Sequence, residues 1–181
     1  VAADDRDLVR SFLRTGSESA FRALYRAHAA PLYGFALRLT RGDEGAAQDI
    51  VQDTWMRAVS RLPEFRWQSS LKSWLHAVAL NVYREELRRR DVRQRELPEV
   101  QRRFTVVRGT GPPLLDLERA VGELPAGQRE VLLLYEIEGY THREIAALLE
   151  ISEGTSKSQL AKARRALTTW FDSEGARLHA G

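Results

Sequence analysis

The side chains in this sequence best placed to do chemistry are cations held on helical spacing. Between Thr155 and Phe171 stand Lys157, Lys162, Arg164 and Arg165, with no acid among them, while Glu144, Glu150 and Glu153 fall before that run. Such a segregated positive face suits phosphate oxygens and base edges. A second basic run begins at Arg84 and includes Arg88. It holds eight arginines against five acids up to Arg103, a surplus equal to the net charge of +3 of the whole chain. Shortly before it, Phe65, Arg66, Trp67, Gln68, Ser69 and Ser70 put two rings and a guanidinium among small polar residues. An aromatic loop beside a basic helix makes a platform on which single-stranded bases stack.

Turnover chemistry has less to work with. Asp49 and Asp53 are carboxylates four residues apart, but nothing nearby completes a metal site. The four histidines (His28, His76, His142, His179) lack ligand spacing, and the chain has no cysteine. Neither a phosphate loop nor a nucleophile motif is present. No catalytic residue, metal or cofactor is therefore expected. The absence of cysteine fits a reducing cytoplasm, and no apolar run approaches the roughly 20 residues of a membrane span. The acidic start from Val1 to Asp7 lacks the basic-then-apolar order of a secretion signal. A cytoplasmic protein with no direct membrane insertion is expected.

The elements that must position these residues are helical. Thr141 with Glu144 three residues later forms a capping box that starts a short helix, with Ile145, Leu148 and Leu149 on its apolar face. Glu150 and Ile151 make a tight turn, and Ser152 can cap a second helix. That helix sets Leu160, Ala163, Leu167 and Trp170 or Phe171 on one stripe. The opposite face carries Ser158, Ala161, Lys162 and Arg165, with Lys157 and Arg164 on its flanks. Two short helices, a tight turn and a basic second helix describe a helix-turn-helix. A packing unit with a solvated charged face is the plainer alternative.

In chain order, Asp4 to Leu13 reads as a short helix ended by Gly16. Ser17 begins a longer one, in which Pro31 fits a kink or a new start, and Arg41-Gly42-Asp43 breaks it. From Glu44 to Leu62 a third helix buries Ile50, Val51, Trp55, Ala58, Val59 and Leu62. Asp49, Gln52, Asp53 and Met56 lie on its other side. Asp43 to Glu64 holds five acids and two arginines. An acidic face with an exposed methionine suits a protein-binding surface, with an ordinary solvated face as the alternative. Leu71 to Arg90 is helical again, with Leu71, Trp74, Leu75, Val78, Val82 and Leu87 as its core stripe and Asn81 in its middle. Periodicity fades from Leu97 to Asp116. Phe104 to Arg108 fits a short extended piece, and Gly109-Thr-Gly-Pro-Pro113 forbids a helix. This segment reads as a flexible linker. Leu114 to Leu124 resumes as a helix, and Pro125 and Gly139 bracket another. An all-α fold of two small helical domains follows, with the first over 1–96, the linker over 97–116 and the second over 117–181.

In this order the motifs resemble those of the bacterial sigma factors of the extracytoplasmic-function (ECF) group. Asp49-Ile-Val-Gln-Asp-Thr-Trp55 is similar to the group's Asp-Leu-Val-Gln-Glu-Thr-Phe helix. Phe65-Arg66, Ser69 to Leu75, and Asn81 with the arginines after it resemble its loop, following helix and basic run. Leu124-Pro125 with Gln128 to Val131 resembles the start of its C-terminal domain. Gly139 to Ala146, Glu153 to Ser158 and Lys162 to Arg164 resemble its helix-turn-helix. The chain departs from the pattern at Asp53 (commonly Glu), Ser156 (usually Val) and Gln159 (often Arg). Its linker also carries Arg102, Arg103 and Arg108.

The resemblance implies a division of labour. Asp49, Gln52, Asp53 and Met56 would dock on the clamp helices of the largest subunit of core RNA polymerase. Phe65, Arg66, Trp67, Gln68, Ser69 and Ser70 would hold a base flipped from the melted minus-10 element of promoter DNA, with Asn81, Arg84 and Arg88 contacting that element and its edge. Thr155, Lys157, Ser158, Ala161, Lys162 and Arg165 would read or clamp the minus-35 element. Contacts to the flap region of the second-largest polymerase subunit, a linker threaded toward the RNA path and inhibition by an anti-sigma factor are further implications. The alternative function is a helix-turn-helix regulator that binds duplex DNA without polymerase, as a symmetric dimer.

Overall fold

The computed structural model describes residues 4–96 and 116–178. Those residues are all-α, with no strand among them. The expected linker, with Phe104 to Arg108 and Gly109 to Pro113, lies outside the described residues except for Asp116, which opens a helix. Two compact units are present: residues 1–37 with 44–108, and residues 38–43 with 109–181.

In the first unit, α1 spans Asp5–Thr15. The Asp4 side chain caps it by accepting from the Arg6 amide at 3.3 Å, and Gly16, left-handed at φ 65°, closes it. Helix α2 runs Glu18–Leu39 with Pro31 inside it. The break allowed at Pro31 does not occur: the missing amide and the ring are accommodated within one helix. Arg41 and Gly42, both at positive φ, end it instead. Helix α3 spans Glu44–Arg61, a 3-10 turn covers Leu62–Glu64, and α4 spans Leu71–Glu96.

The pairing of α3 with α4 is the main contact of this unit. Ile50, Val51, Trp55 and Ala58 are buried on α3, as are Leu71, Leu75, Val78 and Val82 on α4. Val59, Trp74 and Leu87, expected in the core, are only half-buried. Places in that core go instead to Ala47 and Thr54 on α3 and to His76, Ala79, Leu80 and Tyr83 on α4. His76 stacks on Phe35, with ring centroids 4.6 Å apart. At the rim, Arg57 donates to both carboxylate oxygens of Glu85 at 2.9 and 2.8 Å, a forked pair tying α3 to α4.

In the second unit, α5 spans Asp116–Glu123 and α6 spans Ala126–Leu132, continued by a π-helical stretch over Leu133–Ile137. Helix α7 spans His142–Leu149 and α8 spans Glu153–Leu178. Both α6 and α7 pack on α8. Val131, Leu133, Leu134, Ile145, Leu149, Leu160 and Ala163 form the core. Arg129 is buried with them and donates to the carbonyls of Gly122 and Leu124 at 3.1 and 3.0 Å. It thereby satisfies acceptors left over where α5 ends. Leu148, Leu167 and Trp170 are half-buried and Phe171 is exposed, so the apolar stripe expected on α8 is dry only over its first half.

Candidate nucleic-acid interface

Three surfaces carry the residues singled out in the sequence. The first is on α3, where Asp49, Gln52, Asp53 and Met56 fall on one face and are all exposed, Met56 by 64%. A bare methionine beside carboxylates is unusual for a solvated face, and the thioether chain adapts readily to a partner. The face borders Arg57, whose guanidinium is held more strongly protonated than usual, first by Glu85 and also by Asp53.

The second surface joins the loop after α3 to the outer side of α4. Phe65 and Trp67 are half-buried, and Arg66, Gln68, Ser69 and Ser70 are exposed. The Phe65 ring lies 4.7 Å from Trp67 and 4.9 Å from Trp74, nearly parallel to the latter. Trp74, expected in the core, therefore serves as the floor of the loop. Its position one turn into α4 put it on the apolar stripe, and only the return of the loop separates it from that stripe. Trp67 has φ 56°, a left-handed conformation rare for a bulky residue. Strain of this kind persists only where surrounding contacts hold it. Here the ring meets Phe65 and also the Arg6 guanidinium, 5.2 Å from its centroid.

Ser70 acts locally, since its hydroxyl accepts from the Ser73 amide at 3.0 Å and so caps α4. Asn81, Arg84 and Arg88 follow at helical spacing on one side of α4; Asn81 and Arg88 are exposed and Arg84 half-buried. Glu85 sits among them. Its carboxyl is held below the usual range, first by the hydrogen bonds from Arg57, and Arg88 and Arg89 add to the effect. One acid of the basic run is thus neutralised from behind by α3.

The third surface is the helix-turn-helix. Both halves of the capping box form: the Thr141 hydroxyl accepts from the Glu144 amide at 3.3 Å, and the Glu144 carboxylate accepts from the Thr141 amide at 2.8 Å. The Glu144 carboxyl is lowered, chiefly by the Thr141 side chain and then by its backbone. Glu150 turns the chain at φ 54°, ψ 45°, and Ser152 caps α8 by accepting from the Thr155 amide at 2.9 Å. Lys157, Ser158, Ala161, Lys162 and Arg165 are exposed on α8, with Thr155 half-buried at its start.

Arg164 does not join that face. It donates to Glu136 at 2.9 Å and lies over the Tyr135 ring, so this cation braces α8 against the π-helical stretch that follows α6. Ser156 is fully buried and its hydroxyl lies 2.9 Å from His142 Nδ1. The His142 ring stacks on Tyr135 at 4.6 Å. The serine standing where valine is usual is therefore explained by a polar partner on α7.

Among the described residues no group of three or more His, Asp or Glu could hold a metal ion, and no helix is long and apolar enough to cross a membrane.

Comparison with known proteins places these surfaces in context. Residues 24–93 match the family model for sigma-70 region 2, and residues 114–167 match that for sigma-70, region 4. The ECF RNA polymerase sigma factor SigL of Mycobacterium tuberculosis is 37% identical over 155 residues, covering 81% of this chain and 85% of that protein. SigM of the same species is 30% identical over 154 residues, covering 84% and 77%. Among solved structures, the sigma factor RpoE bound to the anti-sigma factor NepR of Bartonella quintana aligns with a TM-score of 0.70 at 26% identity. That alignment covers 84% of this chain and 96% of that one. CnrH in complex with the cytosolic domain of CnrY aligns at 0.65 and 27%, covering 93% and 97%.

Proposed function

The chain belongs to the ECF sigma factors of the sigma-70 family, polymerase-associated transcription factors, and from that premise we propose how its own residues divide the work. Asp49, Gln52, Asp53 and Met56 dock on the clamp helices of the largest subunit of core RNA polymerase. The loop from Phe65 to Ser70, floored by Trp74, receives a base flipped out of the minus-10 element. Asn81, Arg84 and Arg88 contact that element and its edge. Thr155, Lys157, Ser158, Ala161, Lys162 and Arg165 engage the minus-35 element in the major groove. The carrying observation is the segregation of exposed surface: acids with a bare methionine on α3, and cations without acids on the outward face of α8 from Thr155 to Phe171.

Flipping a base costs a few kcal/mol. Stacking on a ring returns about 1–3 kcal/mol per base, so a preassembled set of rings can offset most of that cost. Phe65 already touches both Trp67 and Trp74, so little ordering is left to be done when the base arrives. Lysine and arginine contacts to phosphates then fix the register without reading sequence.

RpoE was solved with the anti-sigma factor NepR, and CnrH with the cytosolic domain of CnrY. By analogy, an anti-sigma factor holds this chain inactive, in the cytoplasm where polymerase works. The flap region of the second-largest subunit is assigned to the second unit from the family resemblance. Catalysis belongs to polymerase, and no residue of this chain is given a catalytic role.

The test is in vitro transcription with purified bacterial core polymerase on a library of random promoters, with and without the protein. Initiation that depends on the chain, and that is lost on combining Asp49→Ala, Gln52→Ala and Met56→Ala in a folded variant, is the expected result. Tight duplex binding by the chain alone, with no new initiation, would overturn it in favour of a polymerase-independent regulator.

A further inference from the structure

Helix α1 carries a row of cations that the polymerase and promoter surfaces leave unused. Arg6, Arg10 and Arg14 recur every fourth residue, so they advance only about 40° around the helix per step and rise about 6 Å along it. With Val9, Leu13 and Trp67 they line one open groove of about 470 Å³. The helix packs on the 3-10 turn at Leu62–Glu64, from which the loop departs. Its first cation, Arg6, rests against the Trp67 ring itself.

The acids of α1 do not cancel this row. Asp4 caps the helix. Asp5 is held by His28 at 3.0 Å. Asp7 pairs with Arg10 at 2.8 Å, but both side chains are about two-thirds exposed (71% and 67%), and such a pair yields readily to a phosphate.

We propose that Arg6, Arg10 and Arg14 form a track for the sugar-phosphate backbone of single-stranded DNA, continuous with the Phe65–Ser70 loop and joined to it by the Arg6–Trp67 contact. The assignment rests on the reading of that loop as the base-holding site. Two features select a single strand as occupant. The groove meets a loop of stacked rings, and the rise between cations matches the step of an extended strand. Contacts here are sequence-independent, because guanidinium groups meet phosphates and the apolar floor of Val9 and Leu13 offers no hydrogen bonds to base edges. When a strand is seated, Arg6 holds both phosphate and ring, so threading the backbone also steadies the left-handed turn at Trp67.

The experiment uses the full chain with core polymerase and a fork-junction DNA with a duplex minus-35 region and a single-stranded non-template tail, its sequence taken from a promoter selected in the library. Affinity is measured against salt concentration, and each tail base is varied in turn. Combining Arg6→Gln, Arg10→Gln and Arg14→Gln is expected to flatten the slope of log affinity against log salt by about 2, since each single-strand phosphate contact contributes about 0.7. Base preference in the tail should persist. Arg10→Gln with Arg14→Gln, which leaves Arg6 on Trp67, should flatten it by about 1.4 and guards against misfolding of the triple variant. Lysine at all three positions should restore the slope. An unchanged slope, a weaker affinity at unchanged slope, or failure of lysine to restore it would overturn the track. Absence of any tail-base preference in the unsubstituted protein would instead sink the reading of the loop, so the two failures are told apart.

Discussion

Of the three non-glycine residues found in left-handed backbone among the described residues, Trp67 and Glu150 hold that uncommon conformation for different reasons. Trp67, at φ 56°, turns the loop after α3; Glu150, at φ 54°, turns the helix-turn-helix. Each lies within a surface assigned to DNA. Glu150 is exposed, and its backbone does the work: its amide reaches back to the Ala146 carbonyl, and so does that of Ile151. Any residue that tolerates the conformation would serve there, glycine best of all. Trp67 is held by its side chain, between Phe65 and Arg6. One turn exists to aim a helix and the other to display a ring. On this reading a duplex is met by a rigid helix whose turn is incidental, whereas a melted strand is met by the turn itself.

The sharpest way to break this comparison is to place glycine at both positions. Trp67→Gly relieves the backbone but deletes a stacking surface worth about 1–3 kcal/mol, so initiation from duplex promoters should fall by between about fivefold and a hundredfold. Retained initiation would mean that the ring is only structural. On the helix-turn-helix side, Lys157→Ala combined with Arg165→Ala should cut initiation from promoters with an intact minus-35 element by about tenfold. It should also reduce the salt slope by about 1.8, two duplex contacts at about 0.9 each. An unaltered slope would remove α8 as the reader.

Ser156→Val restores the residue usual at this position yet leaves His142 Nδ1 without its partner. A loss of about 1–2 kcal/mol in the protection of α7 and α8 amides from hydrogen exchange is expected, and a gain would show the polar link to be dispensable. Glu150→Gly removes a left-handed steric cost of about 1–2 kcal/mol, partly offset by the roughly 0.5–1 kcal/mol entropy of glycine. The same amides should therefore gain about 0.5–1 kcal/mol of protection, with transcription unaffected.

The smallest effect concerns the brace beneath the basic helix. The Glu85 carboxyl is lowered in the folded chain, so its contribution is fully present above the ordinary glutamate range and disappears as pH falls through the lower folded value. Glu85→Gln should remove that contribution, which partial exposure limits to less than about 1 kcal/mol. Denaturant midpoints of the two proteins should differ at neutral pH and converge in acid. A constant difference would show that charge is not what the pair supplies.

Legibility in the sequence followed the range of the interactions. The helix-turn-helix could be read because its signals are local: Thr141 and Glu144 three residues apart, Ser152 ahead of α8, and cations on one face. The acidic face of α3 was legible for the same reason, since Asp49, Gln52, Asp53 and Met56 share a helical side whatever the helix packs on. The loop was legible only as composition. That Ser70 caps α4, that Trp74 floors the loop and that Trp67 is left-handed all depend on how the chain returns upon itself. Pro31 was ambiguous, because a proline fits a kink or a new start, and only the structure shows that one helix runs through it.

Composition, periodicity and capping by themselves determined the helices, their apolar sides and which cations share a face, since a helix fixes neighbours three and four residues apart. Only the tertiary structure decided which of those cations are available. Arg164 and Arg165 are adjacent in sequence, yet the first is bound to Glu136 and Tyr135 in the π-helical stretch after α6 while the second faces outward. Ser156 acquires its partner from α7, and Arg6 meets Trp67 across more than sixty residues of chain. Such contacts depend on where separate helices come to rest, and that is set by the packing of whole cores rather than by any local pattern.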